Sequence, residues 1–238
     1  MSGSLLGQTV RMRNIEIDID REVVPGYLAI PASGHGPAVI VIQEWWGLVP
    51  HIVDVVDRFA AEGFVALAVD HYRGAETTEP DEAQKLMIGL NIGQVADDLA
   101  AAAAWLQARE EVDGERVRVV GFCMGGGLAL LAPTVSDAIC CTAAFYPAMP
   151  WPQFAPDWSR YAGKSALVHK ALSDEPGAGP AIARYATEIT AAGGAVELLE
   201  YPDSVHAFFN DARPEVYQAD NARLAWERTI DAFRACTG

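Results

Sequence analysis

The chain has 238 residues, 51% of them hydrophobic and 21% charged, which is enough apolar content for one large core at the length of an ordinary α/β domain. The formal net charge is −15 with no Lys/Arg cluster, which argues against a binder of nucleic-acid phosphates and leaves solubility as the plain meaning of the charge. No apolar run is long enough to span a membrane, and an anionic small molecule would need a positive residue inside a cleft to hold it against the acidic exterior.

Met1 to Gly7 lacks a charged start and is too short in its apolar part for a signal peptide, so the expectation is a cytoplasmic protein with reduced thiols. Ile15 to Ile19 alternate apolar with acidic residues, and Val23 to Ile30 form a second β-prone run interrupted at Pro25-Gly26; together they predict an antiparallel edge ribbon. Ala38 to Ile42 is a continuous apolar strand of the kind buried on both faces. A helix near His51 to Glu62, ended by Gly63, and a strand from Phe64 to Val69 complete a parallel crossover unit.

Gly74 to Asn91 is more polar and predicts a short helix and loops over a cleft, followed by an alanine-rich helix from about Gly93 to Arg109. Strands follow at Val117 to Phe122, Ala138 to Phe145, Ala166 to His169 and Ala195 to Tyr201, with an irregular Pro- and Trp-containing loop from Tyr146 to Gly163. Helices are predicted at Pro180 to Ala192 and Val216 to Ala235, the last with Val216, Ala219, Arg223, Trp226, Ile230 and Phe233 at core-facing spacings. The alternation predicts a single domain, 1–238, with a mostly parallel sheet covered by helices on both faces.

Chemistry concentrates at Gly121-Phe122-Cys123-Met124-Gly125-Gly126-Gly127, a strand end, a glycine-flanked turn and a small-residue helix start. This is the pattern of an α/β-hydrolase nucleophile elbow with cysteine at its tip. Strand, turn and helix crowd together there, so Gly121 and Gly125 supply the missing bulk. The other cysteines are Cys140, Cys141 and Cys236; none forms a CxxC pair, and the adjacent two read as buried strand residues.

A cysteine nucleophile needs a base, and the base needs an acid. His206 lies in a loop after a late strand and is favoured over His35, His51, His71 and His169, of which His35, His51 and His169 read as solvated or core residues. For the acid, Asp174 is preferred over Glu175 and Asp203 because it is nearer its strand. Glu44, just past the first buried strand and beside Trp45 and Trp46, falls where the oxyanion loop belongs. The backbone N–H groups of Trp45 and Met124 are the natural oxyanion donors.

Taken together, Gln43-Glu44-x-x-Gly47, Asp70-His71-Tyr72-Arg73, the cysteine elbow and His206-Ala207-Phe208 resemble the dienelactone hydrolase (carboxymethylenebutenolidase) family over nearly the whole chain. The resemblance implies a Cys123, His206 and Asp174 triad, with Glu44 near the resting thiol and helping to form thiolate when substrate binds. It implies hydrolysis of a small lactone or ester through an acyl-enzyme, in aromatic-compound breakdown, without metal or organic cofactor. Tyr72, Arg73, Trp46, Phe208 and Arg213 would then line the substrate, the arginines gripping a carboxylate. Arg213 stands later after His206 than the family pattern places its arginine, and Ala171 replaces a glycine common in the acid turn. A promiscuous carboxylesterase and a thiol redox sensor are the alternative readings. The expected partner is the small-molecule substrate alone, with no nucleic acid and no membrane, in a monomer or small homo-oligomer.

Overall fold

The structure is a computed structural model and describes residues 12–19, 22–148, 151, 154–173 and 178–236. Apolar runs become strands β1 (Ile15–Ile19), β2 (Glu22–Ala29), β3 (Gly36–Ile42), β4 (Val65–Val69), β5 (Val112–Phe122), β6 (Ile139–Phe145), β7 (Ser165–Ala171) and β8 (Ala195–Tyr201). They form one sheet in the order β1-β2-β4-β3-β5-β6-β7-β8, antiparallel at β1/β2 and β2/β4 and parallel elsewhere. Every residue of β4 and β6 is buried, because helices cover both faces of the parallel part.

The helices are α1 (Pro50–Ala61), α2 (Pro80–Gly89), α3 (Ile92–Gln107), α4 (Met124–Leu131), α5 (Ala178–Ala191) and α6 (Ala219–Ala235). The chain steps from β3 back to β4 and then across to β5, so right-handed crossovers put α1 on one face and α3 on the other. α6 joins α1, where Phe59 meets Trp226 at 4.5 Å and Phe233 at 6.0 Å between ring centroids.

Several expectations are corrected. β2 runs through Pro25-Gly26: the Pro25 carbonyl accepts from Asp70 N at 2.9 Å, and a Cβ on Gly26 would lie 2.6 Å from the Ala68 carbonyl oxygen. β5 starts at Val112, with its register against β3 shifting between Gly36 and Ala38. α6 begins at Ala219 and buries Ala222, Ala225, Thr229, Ile230 and Phe233, whereas Arg223 points outward to pair with Glu227 at 2.8 Å.

Cys140 and Cys236, 96 residues apart, are joined as a disulfide, so the expectation of reduced thiols is corrected for this pair; Cys123 and Cys141 are free. The buried Arg118 on β5 draws the end of α6 to the sheet by donating to the carbonyls of Phe233, at 3.0 Å, and Cys236. Among the described residues no helix is long and apolar enough to cross a membrane.

Candidate active site

β5 ends at Phe122 and α4 starts at Met124, leaving Cys123 alone to make the turn with φ 54° and ψ −116°. A non-glycine residue held there is strained, and its neighbours over-determine it. Cys123 N donates to the Phe145 carbonyl at 3.0 Å, while its own carbonyl accepts from Ala148 N at 2.8 Å and Gly127 N at 3.2 Å. The crowding expected from the sequence is severe. A Cβ on Gly121 would lie 2.0 Å from the Gly125 carbonyl oxygen, and one on Gly125 would lie 2.4 Å from that of Gln43. The elbow is thus pressed against the end of β3, which carries Glu44. The first N–H groups of any helix have no intrahelical acceptor, so Met124 N is available beside the thiol.

Glu44 is 1% exposed, and both its carboxyl oxygens accept hydrogen bonds. Tyr146 donates from its hydroxyl to Oε1 at 3.3 Å, and Asn210 donates from Nδ2 to Oε2 at 2.9 Å. Tyr146 is the first residue past β6, itself strained at φ 36° and anchored by its N–H on the His169 carbonyl at 2.7 Å. Its phenol is pushed well above the usual range by burial, then by the nearby charges of Glu44 and Cys123, so it remains a proton donor. The His206 ring stands edge-on to the Tyr146 ring at 5.0 Å. Tyr146 is therefore where the groups carried by β3, β5 and the loop after β8 converge.

The rival histidines are engaged elsewhere: His35 with Asp113 at 2.8 Å, His51 with Asp211 at 3.2 Å, His71 with Asp98 at 3.2 Å, and His169 with Tyr201 and Thr229, each at 2.8 Å. Asp174 and Glu175 lie outside the described residues. The turn leading to them is laid against the His206 loop by Leu172 N to the Tyr201 carbonyl at 3.2 Å and Ser173 N to the Ser204 carbonyl at 3.1 Å. Asp203, the third acid considered, is exposed.

The Asp70–Arg73 turn divides its roles. Asp70 accepts from Arg13 at 2.6 Å and from the N–H groups of Tyr72 and Gly74 at 3.1 and 2.7 Å. Tyr72 reaches the site, its hydroxyl 3.1 Å from the Met124 sulfur, and burial followed by the Cys123 charge raises its phenol. Arg73 turns to Asp98 in a bidentate pair at 2.6 and 2.8 Å and to Glu22 at 3.3 Å. Burial alone would raise the Asp98 carboxyl, but the bonds from His71 and Arg73 hold it below the usual carboxylate range. Arg73 is thus engaged with Asp98 and Glu22.

Phe208 is fully buried between Tyr146 and Tyr201, at 5.6 and 5.0 Å. Trp45 and Trp46 are half-buried and meet edge-on at 4.8 Å. Arg213 lies 6.0 Å over the Trp46 ring while its Nε pairs with Glu215 at 2.9 Å. Tyr146 and Asn210 were not singled out from the sequence. The signal for Tyr146 was its place at the carboxyl end of a buried parallel strand, where such sheets gather their functional groups; for Asn210 it was only membership of the His206 loop.

A mostly parallel sheet with a strained cysteine at a strand-to-helix elbow defines an α/β-hydrolase. Residues 24–237 match the dienelactone hydrolase family, to which the chain belongs. "Protein usf" of Aquifex pyrophilus is 33% identical over 227 residues, 92% of this chain and 96% of that protein. A Synechocystis sp. protein named "Putative carboxymethylenebutenolidase" is 33% identical over 234 residues, covering 89% of this chain and 91% of its own length. The crystal structure of a Klebsiella pneumoniae protein described as "Putative Dienelactone Hydrolase" superposes with a TM-score of 0.79 at 27% identity, over 92% of this chain and 97% of that one. The chain is accordingly a hydrolase of the dienelactone hydrolase type.

Proposed function

We propose that the protein hydrolyses a small lactone or ester through a covalent thioester on Cys123. The observation that carries this reading is the strained, nearly buried thiol at the start of α4, with Tyr146 joining Glu44 to the His206 ring beside it. His206 takes the thiol proton, oriented by Asp174. The thiolate attacks the carbonyl carbon, forming a C–S bond, and the resulting oxyanion is held by the N–H groups of Trp45 and Met124. Collapse breaks the C–O bond, and His206 returns the proton to the departing alkoxide or enolate. Water, deprotonated by His206, then cleaves the thioester. A lactone of the kind produced in aromatic-compound breakdown fits this chemistry, with both halves of the product remaining one molecule.

In the resting arrangement Glu44 is committed to Tyr146 and Asn210, so a direct role in forming thiolate requires it to leave those partners when substrate arrives. The deciding experiment uses a chromogenic ester and mass spectrometry of the acylated protein. Cys123→Ala should lose hydrolysis by on the order of a thousandfold and show no acyl adduct. Unchanged turnover in that variant, or an adduct on another residue, refutes the assignment.

A further inference from the structure

We infer that Gln218 is a positioning residue for the His206 base: it straps the His206 loop on both sides of that side chain and ties it to the turn that leads to Asp174. The inference rests on the thiol-hydrolase reading above, in which His206 moves the protons. Asp203 and Ala207, on either side of His206, hold φ at 58° and 67° although neither is glycine. Such a conformation persists only where the surroundings impose it, and the stretch between β8 and α6 has no helix or strand of its own to do so. The start of α6 supplies the bonds. Gln218 N donates to the Phe208 carbonyl at 3.0 Å, its Nε2 donates to the Asp203 carbonyl, and its Oε1 accepts from the Ser204 hydroxyl at 3.2 Å.

Gln218 stands at the N-cap of α6, where short oxygen-bearing side chains commonly accept from the helix's own first N–H groups. Its side chain makes no such bond and is turned to the loop instead. Its partners fix the orientation of the amide, since the Asp203 carbonyl requires the NH2 group. Ser204 is fully buried and forms the junction. Its hydroxyl accepts from Asn221 Nδ2 at 2.8 Å and gives its proton to Gln218, while its carbonyl accepts at 3.1 Å from Ser173 N, next to Asp174 in the chain. One network therefore sets the base loop against the acid turn. The strap is anchored, because α6 buries Ala222, Ala225, Thr229, Ile230 and Phe233 in the core. Proton transfer depends on the separations of base, acid and nucleophile, and a displacement of about 1 Å costs up to about a hundredfold in rate.

The test is single-turnover release of p-nitrophenolate from p-nitrophenyl butyrate, with the full chain saturating and in excess over the ester. The first-order constant obtained in this way belongs to folded, loaded sites, so a loss of stability that merely unfolds part of the sample does not move it. Gln218→Leu keeps the backbone bond to Phe208 and loses the side-chain bonds; its constant should fall by about tenfold to a hundredfold while circular dichroism stays that of the folded chain. Gln218→Glu, nearly isosteric, carries the test should the leucine variant fail to fold: it keeps an acceptor for Ser204 but sets an oxygen against the Asp203 carbonyl, and its constant should fall severalfold or more. A constant within about twofold of the unmodified chain's in the folded variants overturns the inference and leaves the thiol mechanism intact. No release by the unmodified chain, or an acyl group found on a residue other than Cys123, overturns the thiol-hydrolase reading itself, and the inference with it.

Discussion

Lowering the pH from 7.5 to 5 should destabilise the fold through His169, a buried residue of β7. Its ring belongs to one directed chain of hydrogen bonds. Arg228 donates to the Tyr201 oxygen at 3.2 Å, Tyr201 to His169 Nδ1 at 2.8 Å, His169 Nε2 to Thr229 at 2.8 Å, and Thr229 to the Ala225 carbonyl at 2.9 Å. Thr229 spends its proton on Ala225, which fixes the hydrogen on Nε2 and leaves Nδ1 as acceptor. Burial, followed by the Arg228 charge, lowers the imidazole from 6.5 to about 3. Between those values the unfolded chain binds a proton that the folded one refuses, so stability falls as pH falls through the window. Integration from pH 7.5 to 5 gives a loss of about 2 kcal/mol. Urea midpoints should show this slope, and His169→Gln, which can keep both hydrogen bonds but does not titrate, should lack it. Asp98 and Asp211, held below the ordinary carboxylate range, lose their contributions only at lower pH. Equal slopes in the two proteins above pH 4.5 would refute the reasoning.

Three further outcomes follow from the site and its supports. Tyr146→Phe removes one of two donors to a buried carboxylate at a bond of 3.3 Å; kcat/KM should fall by on the order of tenfold with the urea midpoint shifted by about 1–2 kcal/mol, read from ester kinetics beside denaturation. Asp98→Ala leaves His71 and Arg73 without their shared buried partner and should cost about 3–5 kcal/mol, with a matching fall in Tm. Gly125→Ala should abolish soluble, active protein, since the added methyl meets backbone carbonyls of Ile42 and Gln43 that have no rotamer to yield; expression and circular dichroism decide.

The order of strands and helices was legible because the parallel strands are continuous apolar runs and the helices carry amphipathic periods between them. The elbow was legible for a stronger reason: its glycines are demanded by backbone contacts of 2.0 to 2.4 Å, a constraint no other residue type satisfies. Boundaries were less so. Pro25-Gly26 reads as a break, yet Pro25 loses only an N–H and Gly26 is needed where β2 passes the Ala68 carbonyl. The helical period of α6 was readable, and Trp226, Ile230 and Phe233 pack inward as expected, but Arg223 was not placed, because Arg223 and Ala225 are both tolerable at either a core or a surface position until the packing partner is fixed.

Charged residues were the least legible part of the site, since their effect depends on the partner and not on the residue type. Arg73 follows Tyr72 in a motif that suggests a substrate contact, but Asp98, 25 residues away on α3, claims both of its terminal nitrogens. No local pattern forecasts that pairing, because it depends on how α3 crosses the turn after β4. The same reasoning runs in the opposite direction for Asn210, which carries no charge and drew no notice. Its amide is one of the two donors that satisfy the buried Glu44 carboxyl beside the elbow. A neutral loop residue thus fixes a buried acidic side chain of the site, while the arginine at the site's edge is taken up by Asp98 and Glu22.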